Sequence, residues 1–172
     1  MKKAALVLLL LAAASGASGL NSMTFSVTAT LTFPSANPST TPIVAGSAPV
    51  TATIFIVNPQ RENITLTVRA NGANLISGAG DTIAVGNVTW DATSATWVHS
   101  IPPRNAAFWN ADQGPQALTT GNVTVLTGND GRANTNRDTV TGTVVHNFTF
   151  QNSWLYSTGA YTQTLTWTVT AI

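Results

Sequence analysis

Thr24-Phe25-Ser26-Val27-Thr28-Ala29-Thr30-Leu31-Thr32-Phe33 alternates polar and apolar residues without a break. Successive side chains of an extended chain point to opposite sides. The stretch therefore puts Phe25, Val27, Ala29, Leu31 and Phe33 on one face, and Thr24, Ser26, Thr28, Thr30 and Thr32 on the other. A helix would scatter both sets around its circumference, so the reading is a strand with one buried and one wet face.

The same period recurs at Val50 to Val57, at Asn63 to Ala70 and at Thr139 to Phe150. It is clearest at the C-terminus, where Tyr161, Leu165, Trp167 and Val169 alternate with Thr162, Thr164, Thr166, Thr168 and Thr170. Threonine suits the wet face because it is β-branched, stiff at χ1 and polar. Weaker strands fit Asp81 to Val85, Asn87 to Trp90, Thr96 to Ser100 and Leu118 to Leu126, and no window sustains apolar spacing at i, i+3, i+4, i+7. Turn-forming clusters separate the runs: Pro34 to Pro42, Asn58-Pro59, Asn71-Gly72, Ser77 to Gly80, Pro102-Pro103, Gly114-Pro115, Gly128 to Asp138 and Thr158-Gly159. Short alternating strands with Gly, Pro and Asn punctuation predict an all-β fold, a two-sheet antiparallel β-sandwich of the immunoglobulin-like class.

Ahead of the first strand, Lys2 and Lys3 precede an apolar run, Ala4 to Ala14, and the small residues Ser15-Gly16-Ala17-Ser18-Gly19. That order is a secretory signal peptide over residues 1–19, with cleavage after Ala17 or Gly19. The apolar run falls short of the roughly 20 residues of a spanning helix, and none of that length follows, so no membrane span is expected. The expected product is exported, extracellular or on the cell surface.

The organisation that follows is a strand over 20–33, a Pro/Ser/Thr linker over 34–42 and a sandwich domain over 43–172. Once Lys2 and Lys3 leave, five arginines face six acids, and the precursor's +1 becomes −1. So few charges and no basic stripe give nucleic acid nothing to find. The chain has no cysteine. An exported domain without disulfides must hold together by core packing and sheet pairing, and this composition points towards a bacterial source.

Chemistry is weakly signalled. His99 and His146 are the two histidines, too few for a zinc centre without further ligands, and His146 shares the inward parity of Val144 and Phe148. Ser100, His99 and Asp91 could be written as a triad, yet neighbouring Ser and His on a strand point to opposite faces and no nucleophile elbow is present. Glu62 sits in a turn with no partner carboxylate implied. Gly78-Ala79-Gly80 lacks the third glycine and the βαβ setting of a dinucleotide loop. Gly128 to Asp138 is oxygen-rich, but its spacing is not that of a calcium loop and Arg132 and Arg137 oppose a cation. Sequons stand at Asn63, Asn87, Asn122 and Asn147. No enzyme activity, cofactor or metal is expected.

Two features suggest binding. Phe108-Trp109, between Pro103 and Gly114, reads as a loop platform that could stack on a cell-surface glycan or a partner. Phe25, Val27, Ala29, Leu31 and Phe33 read as a strand that could pair outside its own domain and link copies into a fibre or coat.

Gly159-Ala160-Tyr161-Thr162-Gln163-Thr164-Leu165-Thr166-Trp167-Thr168-Val169 resembles the last strand of exported bacterial sandwich domains: the WxL, spore coat protein U and fimbrial-subunit type. Trp-x-Leu itself and pilin cysteines are missing. The resemblance implies a cell-surface β-sandwich with a structural role. The expected function is therefore a non-enzymatic secreted or surface structural protein, with a glycan- or partner-binding module as the alternative.

Overall fold

The computed structural model describes residues 22–27, 31–111 and 115–172, and the side chains at positions 93, 94 and 111 are outside that description. The expected signal segment and Ala29 lie outside the described residues. In chain order the strands are β1 (Ser22–Val27), β2 (Leu31–Phe33), β3 (Ile43–Ala45), β4 (Val50–Val57), β5 (Asn63–Ala70), β6 (Asn74–Ser77) and β7 (Thr82–Ala84). They continue as β8 (Val88–His99), β9 (Phe108–Ala111), β10 (Gln116–Ala117), β11 (Val123–Asn129), β12 (Thr139–Gln151), β13 (Tyr161–Gln163) and β14 (Leu165–Ala171). A single 3₁₀ turn, Val85–Asn87, leads into β8, and the described residues contain no α-helix.

The result is a two-layer antiparallel β-sandwich. One layer is the sheet β1-β4-β12-β8-β10, with β3 taking the edge of β12 beyond the end of β4. The other consists of two four-stranded sheets, β14-β5-β11-β9 and β2-β13-β6-β7. These two run into one another, because β5 leads to β6 and β13 to β14 across short breaks.

The alternation read from the sequence builds the core. Ala52, Ile54 and Ile56 of β4, Ile64, Leu66 and Val68 of β5, and Leu165, Trp167 and Val169 of β14 are all buried, while the residues between them face outward. Each fully buried aliphatic side chain contributes roughly 1.5–3 kcal/mol. β12 is central and pairs on both sides.

The strand expected over Leu118 to Leu126 begins only at Val123, as β11, and three further features differ from the sequence expectation. Thr24 to Phe33 does not run as one strand: β1 pairs with β4 in one layer and β2 with β13 in the other. The two strands expected over Asn87 to Trp90 and Thr96 to Ser100 are one, β8 (Val88–His99), carried through a bulge, with Asn87 in the 3₁₀ turn before it and Ser100 just beyond its end. Against β12, Val145 pairs with Ser94 and His146 with Ala92, so residue 93 is extra. One extra residue reverses the side-chain parity. Trp90 and Ala92 point inward before the bulge and Trp97 packs on the core after it, leaving Val98 63% exposed. Finally, Phe108-Trp109 lies in strand β9 and not in a loop, paired with β11.

Candidate functional site

His99, at the end of β8, and Ser100 converge on Asp138, not on Asp91. His99 Nδ1 lies 3.0 Å from Asp138 Oδ2, and the Ala107 N–H donates to His99 Nε2 at 3.1 Å. With Nε2 accepting, the ring proton sits on Nδ1 and is donated to the carboxylate. Ser100 Oγ donates to Asp138 Oδ1 at 3.3 Å and accepts the Thr139 N–H at 2.9 Å. The aspartate thus stands between histidine and serine, whereas a nucleophile needs the imidazole beside its hydroxyl. The cluster fastens the 100–107 connection to the start of β12.

Among the described residues, Asp130 and His146 are the two groups that burial perturbs strongly. Burial pushes the Asp130 carboxyl up to about 6; the backbone N–H of Gln60, 3.2 Å from Oδ2, pulls the other way, and the Glu62 charge adds to the rise. Its Oδ1 has no partner among the described residues. Asp130 and Asp138 therefore face different neighbours and do not share a centre. His146 is wholly buried between Trp90, at 5.8 Å between ring centroids, and Trp167, at 4.8 Å. Burial lowers its pKa to about 4, so the ring is neutral at pH 7. Neither ring nitrogen makes a hydrogen bond of good geometry among the described residues.

Trp109 is anchored. Its ring stacks on Trp97 at 3.9 Å and 16°, and its Nε1 donates to the Thr96 carbonyl at 3.0 Å. The pair fills the space above Gly142, where a Cβ would collide with both indoles. Phe108, pointing the other way along β9, is 57% exposed. The platform suggested by the sequence is therefore divided, one ring holding the two layers together and one facing solvent.

Of the N-terminal set, Leu31 and Phe33 are buried, while Phe25 and Val27 are half-buried against the core. The Pro34 to Pro42 segment lies outside any strand and makes a turn in which Thr40 and Thr41 donate to the Asn37 carbonyl. Asn152 ties it down, donating from Nδ2 to the carbonyls of Ala36 and Thr41 at 3.1 and 3.2 Å.

Between that segment and residues 150–161 lies a cavity of about 290 Å³, lined among others by Asn37, Asn152, Trp154, Tyr156, Thr158 and Tyr161. Trp154 and Leu155 occupy the corners of a turn closed by the Tyr156 N–H to the Ser153 carbonyl at 3.1 Å, and are 72% and 92% exposed. Tyr156 is held by Phe150, at 6.1 Å between ring centroids, and its hydroxyl accepts from Asn87 Nδ2 at 2.9 Å. Sequence reading passed over this place. The available signal was Ser153-Trp154-Leu155-Tyr156-Ser157, a run of large side chains off the strand period and between two polar residues.

No family model matches the chain, and no curated protein does. Among solved structures, a family 123 glycoside hydrolase from Clostridium perfringens, described in connection with glycolipid glycan hydrolysis, aligns with 75% of this chain at 10% identity and a TM-score of 0.29. The chain spans 20% of that enzyme's length.

Proposed function

We propose that the protein is a non-enzymatic structural β-sandwich of the bacterial cell exterior, whose copies join by exchanging the N-terminal strand. One observation supports this best: that strand fits two edges. In its own fold it crosses from β13 to β4, and Met23, Phe25 and Val27 remain only half-buried there. Continued without the crossing, the register Phe33↔Tyr161, Thr32↔Thr162, Leu31↔Gln163 would run along the outer edge of β14. Phe25 would then lie opposite Val169 and Val27 opposite Trp167, apolar against apolar. β14 is an edge strand among the described residues, with main-chain groups free to pair.

A strand from a neighbouring copy would satisfy that edge by β-augmentation, and head-to-tail exchange does not close, so it makes fibres. The signal-peptide pattern and the likeness of the C-terminal strand to exported bacterial sandwiches support the location. The separation of Ser100 from His99 by Asp138 supports a non-catalytic reading.

Light scattering tests assembly. The mature chain should grow with concentration. A chain beginning at Ala36 should not, and should bind an added Thr24 to Phe33 peptide. A full chain that stays monomeric, beside a truncated one that ignores the peptide, contradicts the proposal.

A further inference from the structure

The cavity between residues 34–38 and 150–161 is built from aromatic faces and neutral polar groups. No charged side chain is among its lining residues. A site of that kind offers nothing to a phosphate, a metal ion or a carboxylate, and holds no acid or base with which to cleave a ligand. It does suit a ligand whose own faces are apolar and whose edges carry hydroxyls.

Asn37 Nδ2 and Thr158 Oγ1 have no partner among the described residues, so both can serve ligand hydroxyls. The Trp154 ring is the large aromatic surface at the rim, and its turn is fixed before anything binds: Asn152 anchors one side, Tyr156 the other, and the Leu155 N–H donates to Ser153 Oγ at 3.2 Å. An exposed indole held in place forgoes the stabilisation of its burial, while a preorganised aromatic loses little entropy on binding. The volume, about 290 Å³, is at the bottom of the range for small-ligand sites and admits one ring.

From these features we infer a binding site for a neutral carbohydrate. One sugar ring would occupy the cavity, with its C–H face on Trp154 and its hydroxyls on Asn37 and Thr158. Residues 34–38 follow directly on the strand proposed to exchange, so in an assembled fibre they would come from the neighbouring copy; the site is inferred for the chain's own fold and is tested on monomer.

The test uses the full mature chain labelled with ¹⁵N at a dilution where light scattering shows monomer, titrated to millimolar levels with neutral oligosaccharides of glucose, mannose, galactose, xylose and N-acetylglucosamine, and separately with a proline-rich peptide. At least one sugar should shift the Trp154 indole N–H and the Gly159 amide saturably, while the buried Trp90 and Trp167 indoles stay in place. Trp154→Ala should weaken that sugar by about tenfold or more. Trp154→Phe should weaken it less, and Asn37→Ala should weaken it with the ring intact. Because Trp154 is exposed, the thermal midpoint should not move. Three results would overturn the site: no saturable shift with any sugar, binding of the peptide alone, or sugar binding indifferent to Trp154→Ala.

Discussion

Gly142 shows how one missing side chain sets a piece of the architecture. It sits on the inward face of β12, and the Trp97–Trp109 stack occupies the room its lack of a Cβ leaves. Gly142→Ala should therefore cost about 1–3 kcal/mol in urea unfolding, the usual range for overpacking. A loss under about 0.5 kcal/mol would mean the stack can move aside. His146 behaves differently. Its inward parity was legible from Val144 and Phe148, but its setting between Trp90 and Trp167 was not, because those residues come from strands distant in sequence. Likewise, Asp138 replaced Asp91 as the partner of His99 because the bulge in β8 fixes which residues of that strand face inward.

At the scale of elements, strands that alternate over seven or more residues were legible: β4, β5, β12 and β14 lie where their period put them. The short strands β3, β6 and β10 carry too few residues for a period to register, and β9 was hidden because Phe108-Trp109 breaks alternation. The bulge in β8 split one strand into two apparent ones, since an inserted residue shifts the phase midway. The crossing of the N-terminal segment between layers was invisible for the opposite reason: Thr24 to Phe33 keeps one phase throughout, and only pairing partners divide it. Amide exchange should report this arrangement. The β12 ladders with β4 and β8 should be the most protected, and β1 should exchange at least about a hundredfold faster, as expected of an edge strand with half-buried side chains. Equal protection of β1 and β12 would contradict the weak housing of β1 on β4.

For the whole molecule, two buried groups pull stability in opposite directions as pH changes. The His146 pKa falls from 6.5 to about 4 on folding. The unfolded chain takes up that proton first, so stability is lost as pH falls from about 6.5 towards 4. The Asp130 pKa rises from 3.8 to about 6. The unfolded chain releases that proton first, so stability is lost as pH rises through the same window. Each amounts to roughly 3 kcal/mol, and between pH 4 and 6 they nearly offset. Asp130→Asn should unmask the histidine, giving a chain whose unfolding free energy climbs by about 3 kcal/mol from pH 4 to 6.5. The same slope with and without Asp130 would refute the balance. With no cysteine, the unfolding midpoint should ignore reductant, and the same absence permits a clean test of assembly. Ser26 and Thr168 both face outward, and in the register that continues Leu31↔Gln163 they stand opposite one another across copies; in the chain's own fold Ser26 pairs with Thr53. The most direct measurement is oxidation of the Ser26→Cys, Thr168→Cys protein followed by non-reducing electrophoresis. A ladder of covalent multimers that collapses on reduction is the expected result, and a band that stays monomeric, with free thiols or an internal disulfide, would contradict strand exchange between copies.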